Sequence, residues 1–350
     1  MRRGGGEMKA ALLETRGADG VAIRDVGKPA RPPGWALVRM LAASVNRVDL
    51  YMRDSGAGIT HDLPLVMGVD GVGEIAETGE GSSFARGDRV ILYPYEFCGT
   101  CRYCAAGDQP LCTSARIPGE HRDGTFAEYI ALPEASLRPL SPDADIHQAA
   151  ALGVAWLTAW RMVFGKAPMG PGRIVLVVGA GGGVSEAAAQ LARMAGARVI
   201  VTTSGARKLD HFRAMGVEAI DYRNEDVVKT VMRLTGREGA DVVIDNVGEA
   251  TWGQSLKCLA RGGHIVTCGA TTGGAPSAEL QRLFIRQLHV HGSTMGSLEE
   301  FRHLVAAFEA GQFTPCIDSV YPLDRVPDAF ARLEEPDRLG KIVIDIARPG

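Results

Sequence analysis

Residues 174–195 read IVLVVGAGGGVSEAAAQLARMA. Ile174 to Val178 is a run of β-branched and aliphatic side chains, Gly179 to Gly183 is a glycine-dense turn, and Val184, Ala188, Leu191 and Ala195 recur at helical spacing. The stretch therefore predicts strand, turn and helix. Glycines remove Cβ atoms where a pyrophosphate must approach the backbone, and the free N–H groups of the following helical turn, reinforced by the helix dipole, offer donors to the anion. The frame Ala180-x-Gly182-Gly183-Val184-Ser185 departs from G-x-G-x-x-G at its first and third glycines, so the turn needs its context to be read. That context follows at once: ARVIVTTS (197–204), EAIDY (218–222), ADVVIDNVG (240–248), GHIVTCG (263–269) and LHVHGS (288–293), each separated by a helix-length amphipathic segment. Strands alternating with helices at this spacing predict a parallel, doubly wound α/β sheet.

Working outward, residues 8–142 are strand-rich. KAALLE, VAIRDV, WALVRMLAASV, GVDGVGEIAE, RVILYPY and FAEYIALP are short runs broken by Gly, Pro and Asp, which predicts a compact, mostly antiparallel β domain. The first long helical stretch is Ile146 to Phe164. The expected organisation is a β domain over 8–154, a nucleotide domain over 155–295, and a tail, 296–350, returning to the first domain. Met1 to Glu7, MRRGGGE, precede the methionine that opens a clean strand and are placed outside the fold.

A chain of 350 residues, 46% hydrophobic and 23% charged, is that of an ordinary globular protein with room for two cores. A net charge of −3 gives no electrostatic case for nucleic acid or an anionic membrane. The longest apolar run, Ala149 to Trp160, is too short to span a bilayer, and the N-terminus lacks a signal-peptide core, so a cytoplasmic enzyme is expected.

Four of the seven cysteines, Cys98, Cys101, Cys104 and Cys112, stand as C-x2-C-x2-C-x7-C. Two-residue gaps let successive thiolates turn inward around one ion, and four sulfurs match the closed tetrahedral preference of Zn²⁺. Such a site has no open position for substrate, so its role is to fold a loop. An iron–sulfur cluster is the poorer competitor for this spacing. Cys258, Cys268 and Cys316 are scattered, which suits buried packing.

GVDGVG at 68–73, GDRV at 87–90, the cysteine lobe, DGTFAEY at 123–129, the glycine turn, DVVIDNVG and GKIVIDI at 340–346 together resemble the medium-chain dehydrogenase/reductase superfamily, over essentially all of 8–346. The resemblance implies a GroES-like catalytic domain, a Rossmann domain, a cleft between them, a nicotinamide cofactor, and a homodimer or homotetramer paired through the edge strand LHVHGST. The cysteine spacing is that of the structural zinc lobe of the zinc alcohol dehydrogenase branch. In that branch the catalytic zinc ligands lie in C-x-x-D, in G-H-E and in the linker helix. Here those positions read Asn46, Val69 and Val154. A displaced metal site would need other ligands, such as His61, Asp70 or His121.

N-x-x-D at 46–49 and G-x-D-G-x-G instead resemble the quinone oxidoreductase and enoyl reductase branches, which use NADPH without metal. Asn46 can donate its amide to a substrate carbonyl or a ribose, with Asp49 orienting it; both can also simply close a loop through backbone bonds. Tyr51, His61 and His121 are the candidate proton donors. The expected cofactor contacts are Ala180, Gly182, Gly183, Val184, Thr203, Ser204, Arg207, Lys208, Asn246 and Gly269. An acidic residue at the end of the second Rossmann strand would bond the ribose hydroxyls of NAD, whereas Thr203, Ser204, Arg207 and Lys208 stand there, so NADP(H) is expected over NAD(H). The expected activity is a metal-independent reductase of an enone, an unsaturated thioester or a quinone. The alternatives are an alcohol or aldehyde dehydrogenase with a rebuilt zinc site, and an idle nucleotide-binding sensor or structural protein.

Overall fold

A computed structural model describes residues 3–59 and 61–347. The chain divides into two compact units: the described residues up to Ala155 together with those from Gly296 onward, and Trp156–Met295 between them.

The first unit begins with β1 (Arg3–Leu13), β2 (Val21–Pro29) and β3 (Trp35–Val45), a short helix Arg47–Asp54, and then β4 (Leu65–Val66), β5 (Gly71–Glu77), β6 (Arg89–Leu92), β7 (Tyr129–Pro133) and β8 (Leu137–Pro139). β1 starts five residues before the Met8 expected from the sequence. The backbone of residues 3–7 pairs with the end of β2, Arg3 opposite Pro29 and Glu7 opposite Gly27, across a bulge that Gly6 allows with φ 115°. Ladder hydrogen bonds belong to the backbone and need no hydrophobic pattern, which is why MRRGGGE did not announce a strand. Met1 and Arg2 lie outside the described residues.

The second unit follows a helical stretch in which Ile146–Ala150 and Leu157–Trp160 are α-helical and Leu152–Trp156 and Arg161–Gly165 widen to π-helical turns. It contains β9 (Ile174–Val177), β10 (Arg198–Thr203), β11 (Glu218–Asp221), β12 (Ala240–Ile244), β13 (Leu259–Thr267) and β14 (His289–Gly292). All are parallel, in the order β11-β10-β9-β12-β13-β14. The chain steps to one side of β9 for β10 and to the other for β12, so the reversal of strand order falls at β9, where open α/β sheets bind ligands. Val175, Leu176, Val177, Val243 and Ile265 are wholly buried, as expected of strands covered on both faces.

The tail returns through the helix Leu298–Glu309, β15 (Ile317–Pro322), the helix Val326–Glu334 and β16 (Lys341–Asp345). β16 inserts antiparallel beside β3, with Val45 opposite Ile342, and completes a seven-stranded sheet in which β15-β16-β3-β5-β6-β8 run side by side and β7 also pairs β3. β1, β2 and β4 form a separate three-stranded sheet. Phe126, Met40, Met52, Phe330 and Ile344 meet in the core beneath. The GroES-like and Rossmann architectures expected of the sequence are both present. No helix among the described residues is long and apolar enough to cross a membrane.

Candidate active site

The glycine turn closes β9 as the sequence implies. Gly179 sits at φ 66°, a conformation L side chains rarely adopt, and a Cβ there would meet Val247 Cγ2 at 2.8 Å. Its N–H donates to Thr202 Oγ1 at 3.0 Å, and the Ala180 N–H to Thr202 O at 2.7 Å, which ties the turn to β10. The helix Gly183–Met194 then starts behind Gly182 with no side-chain cap, so the donors of its first turn are left for an anion. Gly182, Gly183 and Val184 are half-buried and Ala180 is buried. Thr203 and Ser204 end β10, Asn246 follows β12 and Gly269 follows β13, so these positions share the carboxyl edge of four adjacent strands. This arrangement fits a dinucleotide: the first-turn donors of Gly183–Met194 would hold the pyrophosphate. Asp245, which sequence reading missed, is wholly buried and fastens the neighbouring turn by accepting from Val247 N, Thr251 Oγ1 and Ser255 Oγ at 2.8, 2.8 and 2.6 Å.

The four cysteines converge as their spacing predicts, with all four sulfurs within 4.8 Å of one another. A tetrahedron with Zn–S of about 2.3 Å has S–S edges of about 3.8 Å; Cys98 Sγ lies 3.9 Å from Cys104 Sγ and 3.6 Å from Cys112 Sγ. The backbone N–H groups of Cys98, Cys101 and Cys104 point at sulfurs, at 3.5, 3.3 and 3.5 Å. N–H groups of Thr100 and Cys101 pull the Cys98 thiol down to about 6, toward the thiolate a metal needs. The lobe is a closed, structural zinc-type site.

Asn46 is the N-terminal residue of the turn that opens the helix Arg47–Asp54 and is 5% exposed. Its Nδ2 donates to Ser44 O at 3.0 Å, and its Oδ1 accepts from Lys341 Nζ at 2.5 Å. Asp49 reaches Asn46 through the backbone: Oδ2 accepts the Asn46 N–H at 2.7 Å, the reciprocal bond of a helix start. The side-chain amide is thus held by Ser44, Lys341 and Asp70, and Asp49 meets Asn46 through the two reciprocal bonds of the helix start, its own backbone N–H to the Asn46 side chain and its carboxylate to the Asn46 N–H. Asp49 Oδ1 is buried without a hydrogen-bond partner, and burial pushes the carboxyl up to about 8. Asp70, wholly buried, accepts from Ser44 Oγ at 2.8 Å and from Val154 N at 3.1 Å, and burial raises its pKa as well. Gly153 explains itself here, because a Cβ on it would lie 2.5 Å from Asp70 Cβ. Ser44, Asp70 and Lys341 were missed as a set; the one available signal was a lysine opening the otherwise apolar run KIVI at 341–344.

The remaining candidates are tied elsewhere. His61 bonds the Arg16 guanidinium and Ile59 O; His121 Nδ1 accepts from Ile117 N at 3.2 Å; the Tyr51 hydroxyl donates to Ala57 O. Burial lowers the His121 pKa, with the Arg116 and His61 charges adding to it. Among the described residues, the cysteine lobe is the one group of three or more His, Cys, Asp or Glu whose ligand atoms converge. His61, Asp70 and His121 do not assemble a substitute for the ligands replaced by Asn46, Val69 and Val154.

Two family descriptions match: "Alcohol dehydrogenase GroES-like domain" over residues 32–142 and "Zinc-binding dehydrogenase" over 183–310. A zinc-type alcohol dehydrogenase-like protein of Schizosaccharomyces pombe is 33% identical over 323 residues, 90% of this chain and 91% of that protein. An NAD-dependent alcohol dehydrogenase of Saccharolobus solfataricus is 29% identical over 93% of this chain and 96% of its own, and an acryloyl-coenzyme A reductase of Metallosphaera sedula is 28% identical over 96% and 99%. The crystal structure of an NAD-dependent alcohol dehydrogenase superposes with a TM-score of 0.93 at 38% identity, covering 97% of this chain and 100% of that one.

These relatives overturn the expectation of NADP(H): cofactor use points to NAD(H). The physical reason lies in hydroxyls that sequence reading assigned to a 2′-phosphate. Thr203 Oγ1 donates to Ala180 O and Ser204 Oγ to Tyr222 OH at 3.0 Å, so both serve the fold; Arg207 is exposed and Lys208 half-buried on the next helix, Ala206–Ala214. A kcat/KM for NADH well above that for NADPH is the expected result of a steady-state comparison, and the reverse ratio would restore the first expectation. The chain is an enzyme of the medium-chain dehydrogenase/reductase superfamily, built from a GroES-like domain bearing a four-cysteine structural zinc-type lobe and a Rossmann domain, and related to both alcohol dehydrogenases and enoyl-coenzyme A reductases.

Proposed function

We propose that the enzyme reduces an activated carbon–carbon double bond, in an unsaturated thioester or an enone, with NADH and without a metal on the reacting oxygen. One observation carries this: where the zinc branch has its three ligands, this chain has Asn46, Val69 and Val154, and among the described residues the half-buried His61 and His121 and the buried Asp70 do not converge on a replacement. Valine offers no lone pair to a metal, and both oxygen and nitrogen of the Asn46 amide are engaged by protein.

NADH, when bound, supplies the hydride. Its arrival at the β-carbon sends the π electrons to the carbonyl oxygen, and the α-carbon then takes a proton to complete the product. With no Lewis acid at that oxygen, hydrogen bonds must meet the developing charge, and an enolate spreads that charge better than the alkoxide of a simple carbonyl reduction. The Nδ2 group of Asn46, which donates to Ser44 O and faces the buried Asp70 carboxylate, is the donor assigned to it. The acryloyl-coenzyme A reductase among the relatives supports an unsaturated thioester as substrate class.

The second reading, alcohol and aldehyde interconversion, is favoured by the names of the other relatives. A panel of acryloyl and crotonyl thioesters, enones, quinones, aldehydes and simple alcohols, each with NADH or NAD, separates the two. Turnover confined to activated alkenes is the expected result; efficient oxidation of simple alcohols would replace this reading with the second. A second copy of the chain would pair along β14, which ends its sheet, carries exposed Val290 and follows a helix, Leu280–Arg286, with Leu280, Phe284 and Ile285 exposed.

A further inference from the structure

Lys341 opens β16 and is 4% exposed, a rare setting for a lysine. Asp70 and Asp49 favour its charge, while burial, the larger effect, lowers its pKa. Neither carboxylate receives its hydrogen bonds, however. Nζ donates to Val45 O at 2.8 Å and to Asn46 Oδ1 at 2.5 Å, two neutral oxygens. A lysine present only to neutralise buried acids gains most by bonding a carboxylate directly. This one spends a bond on the side chain that stands at a former zinc-ligand position.

We infer that Lys341 is a positioning residue for Asn46, fixing which way the amide faces and sharpening its N–H groups as donors. The inference rests on the reading of Asn46 as the oxyanion donor. An asparagine amide is nearly symmetric in shape, so orientation must come from its partners. Ser44 O accepts from one end and cannot accept from an oxygen; Lys341 donates to the other end and cannot donate to a nitrogen that carries two hydrogens. The two together allow a single orientation, with nitrogen as the donor. A cation on the amide oxygen also draws electron density from nitrogen, and bonds linked in this way strengthen one another. The chain then brings positive charge near the reacting oxygen through one amide, in a position where its relatives place a metal. Without Lys341 the amide keeps only the acceptors at its nitrogen end, loses the bond that pins its oxygen, and is held less firmly in the donating orientation.

The test is a double-mutant cycle on the full-length protein with NADH and an unsaturated thioester: Asn46→Ala, Lys341→Met and the pair, with NADH affinity and thermal melting of each. A misplacement of this kind costs about a hundredfold in rate, so Lys341→Met is expected to lower kcat by about that factor, with KM for the thioester and NADH affinity nearly unchanged. In the Asn46→Ala background the same change should cost less than about twofold, because the side chain it positions is gone. If Lys341→Met does not accumulate as folded protein, Lys341→Gln, which keeps a donor and removes the charge, takes its place: it is expected to lower kcat by a smaller factor, since orientation survives and only the polarisation is lost, and that loss should again disappear in the Asn46→Ala background. An impaired Asn46→Ala alongside a lysine variant with wild-type kcat, or a lysine penalty equally large in both backgrounds, overturns the inference alone. Wild-type kcat in Asn46→Ala overturns the assignment of Asn46 and this inference with it.

Discussion

Asn46→Ala is expected to lower kcat for the thioester by about 10² to 10³, the usual cost of deleting one well-placed donor to an oxyanion, while NADH affinity stays close to wild type. The separation follows from where the residues lie. Asn46 heads a helix of the first unit, whereas the glycine turn and the strand ends that would hold the dinucleotide belong to the second. The substitution also removes the acceptor of a buried ammonium and the donor to Ser44 O, and leaving a buried charged group short of a partner costs about 1–3 kcal/mol or more. Some loss of melting temperature should therefore accompany the loss of rate, and the two are told apart by measuring kcat well below the transition. A mutant that turns over the thioester at the wild-type rate would remove Asn46 from the chemistry.

Metal analysis of the purified protein is expected to return one zinc per chain, and Cys112→Ser to return none. Cys112 is the most buried of the four cysteines, and its sulfur lies 3.6 Å from that of Cys98, so replacing it leaves an incomplete tetrahedron around a hydroxyl too weakly acidic to ligate as a thiolate does. Structural zinc sites in isolated fingers are worth about 10–16 kcal/mol of apparent binding energy. Much of that is folding energy of the surrounding loop, because the segment from Cys98 to Cys112 has only two short helical turns, Arg102–Ala105 and Gln109–Leu111, of its own. Loss of the ion should open this segment to limited proteolysis while the three sheets remain folded. Two zincs per chain, with activity lost on mild chelation, would instead place a metal in the chemistry and bring the alcohol dehydrogenase reading forward.

What could be read from sequence follows a physical division. The period-2 and period-3.6 patterns after Ile174 and the crowding of Cys98, Cys101, Cys104 and Cys112 are local, and local periodicity and ligand spacing determine strands, helices and a metal loop wherever they occur. The replacement of zinc ligands at Asn46, Val69 and Val154 was equally visible, because a residue type that cannot ligate is known without coordinates. The β1 extension was hidden since its pairing is made by backbone alone. The fate of Thr203 and Ser204 was hidden since a hydroxyl at a strand end serves a ligand or the fold depending on what lies beside it, and Ala180 and Tyr222 lie there. The cluster around Asn46 belongs wholly to tertiary structure. Lys341 stands 295 residues from Asn46, and Val154 stands 84 from Asp70. Only the insertion of β16 beside β3 carries the ammonium to the amide, and strand order, unlike strand propensity, is decided by which buried surfaces fit together once the whole chain has folded.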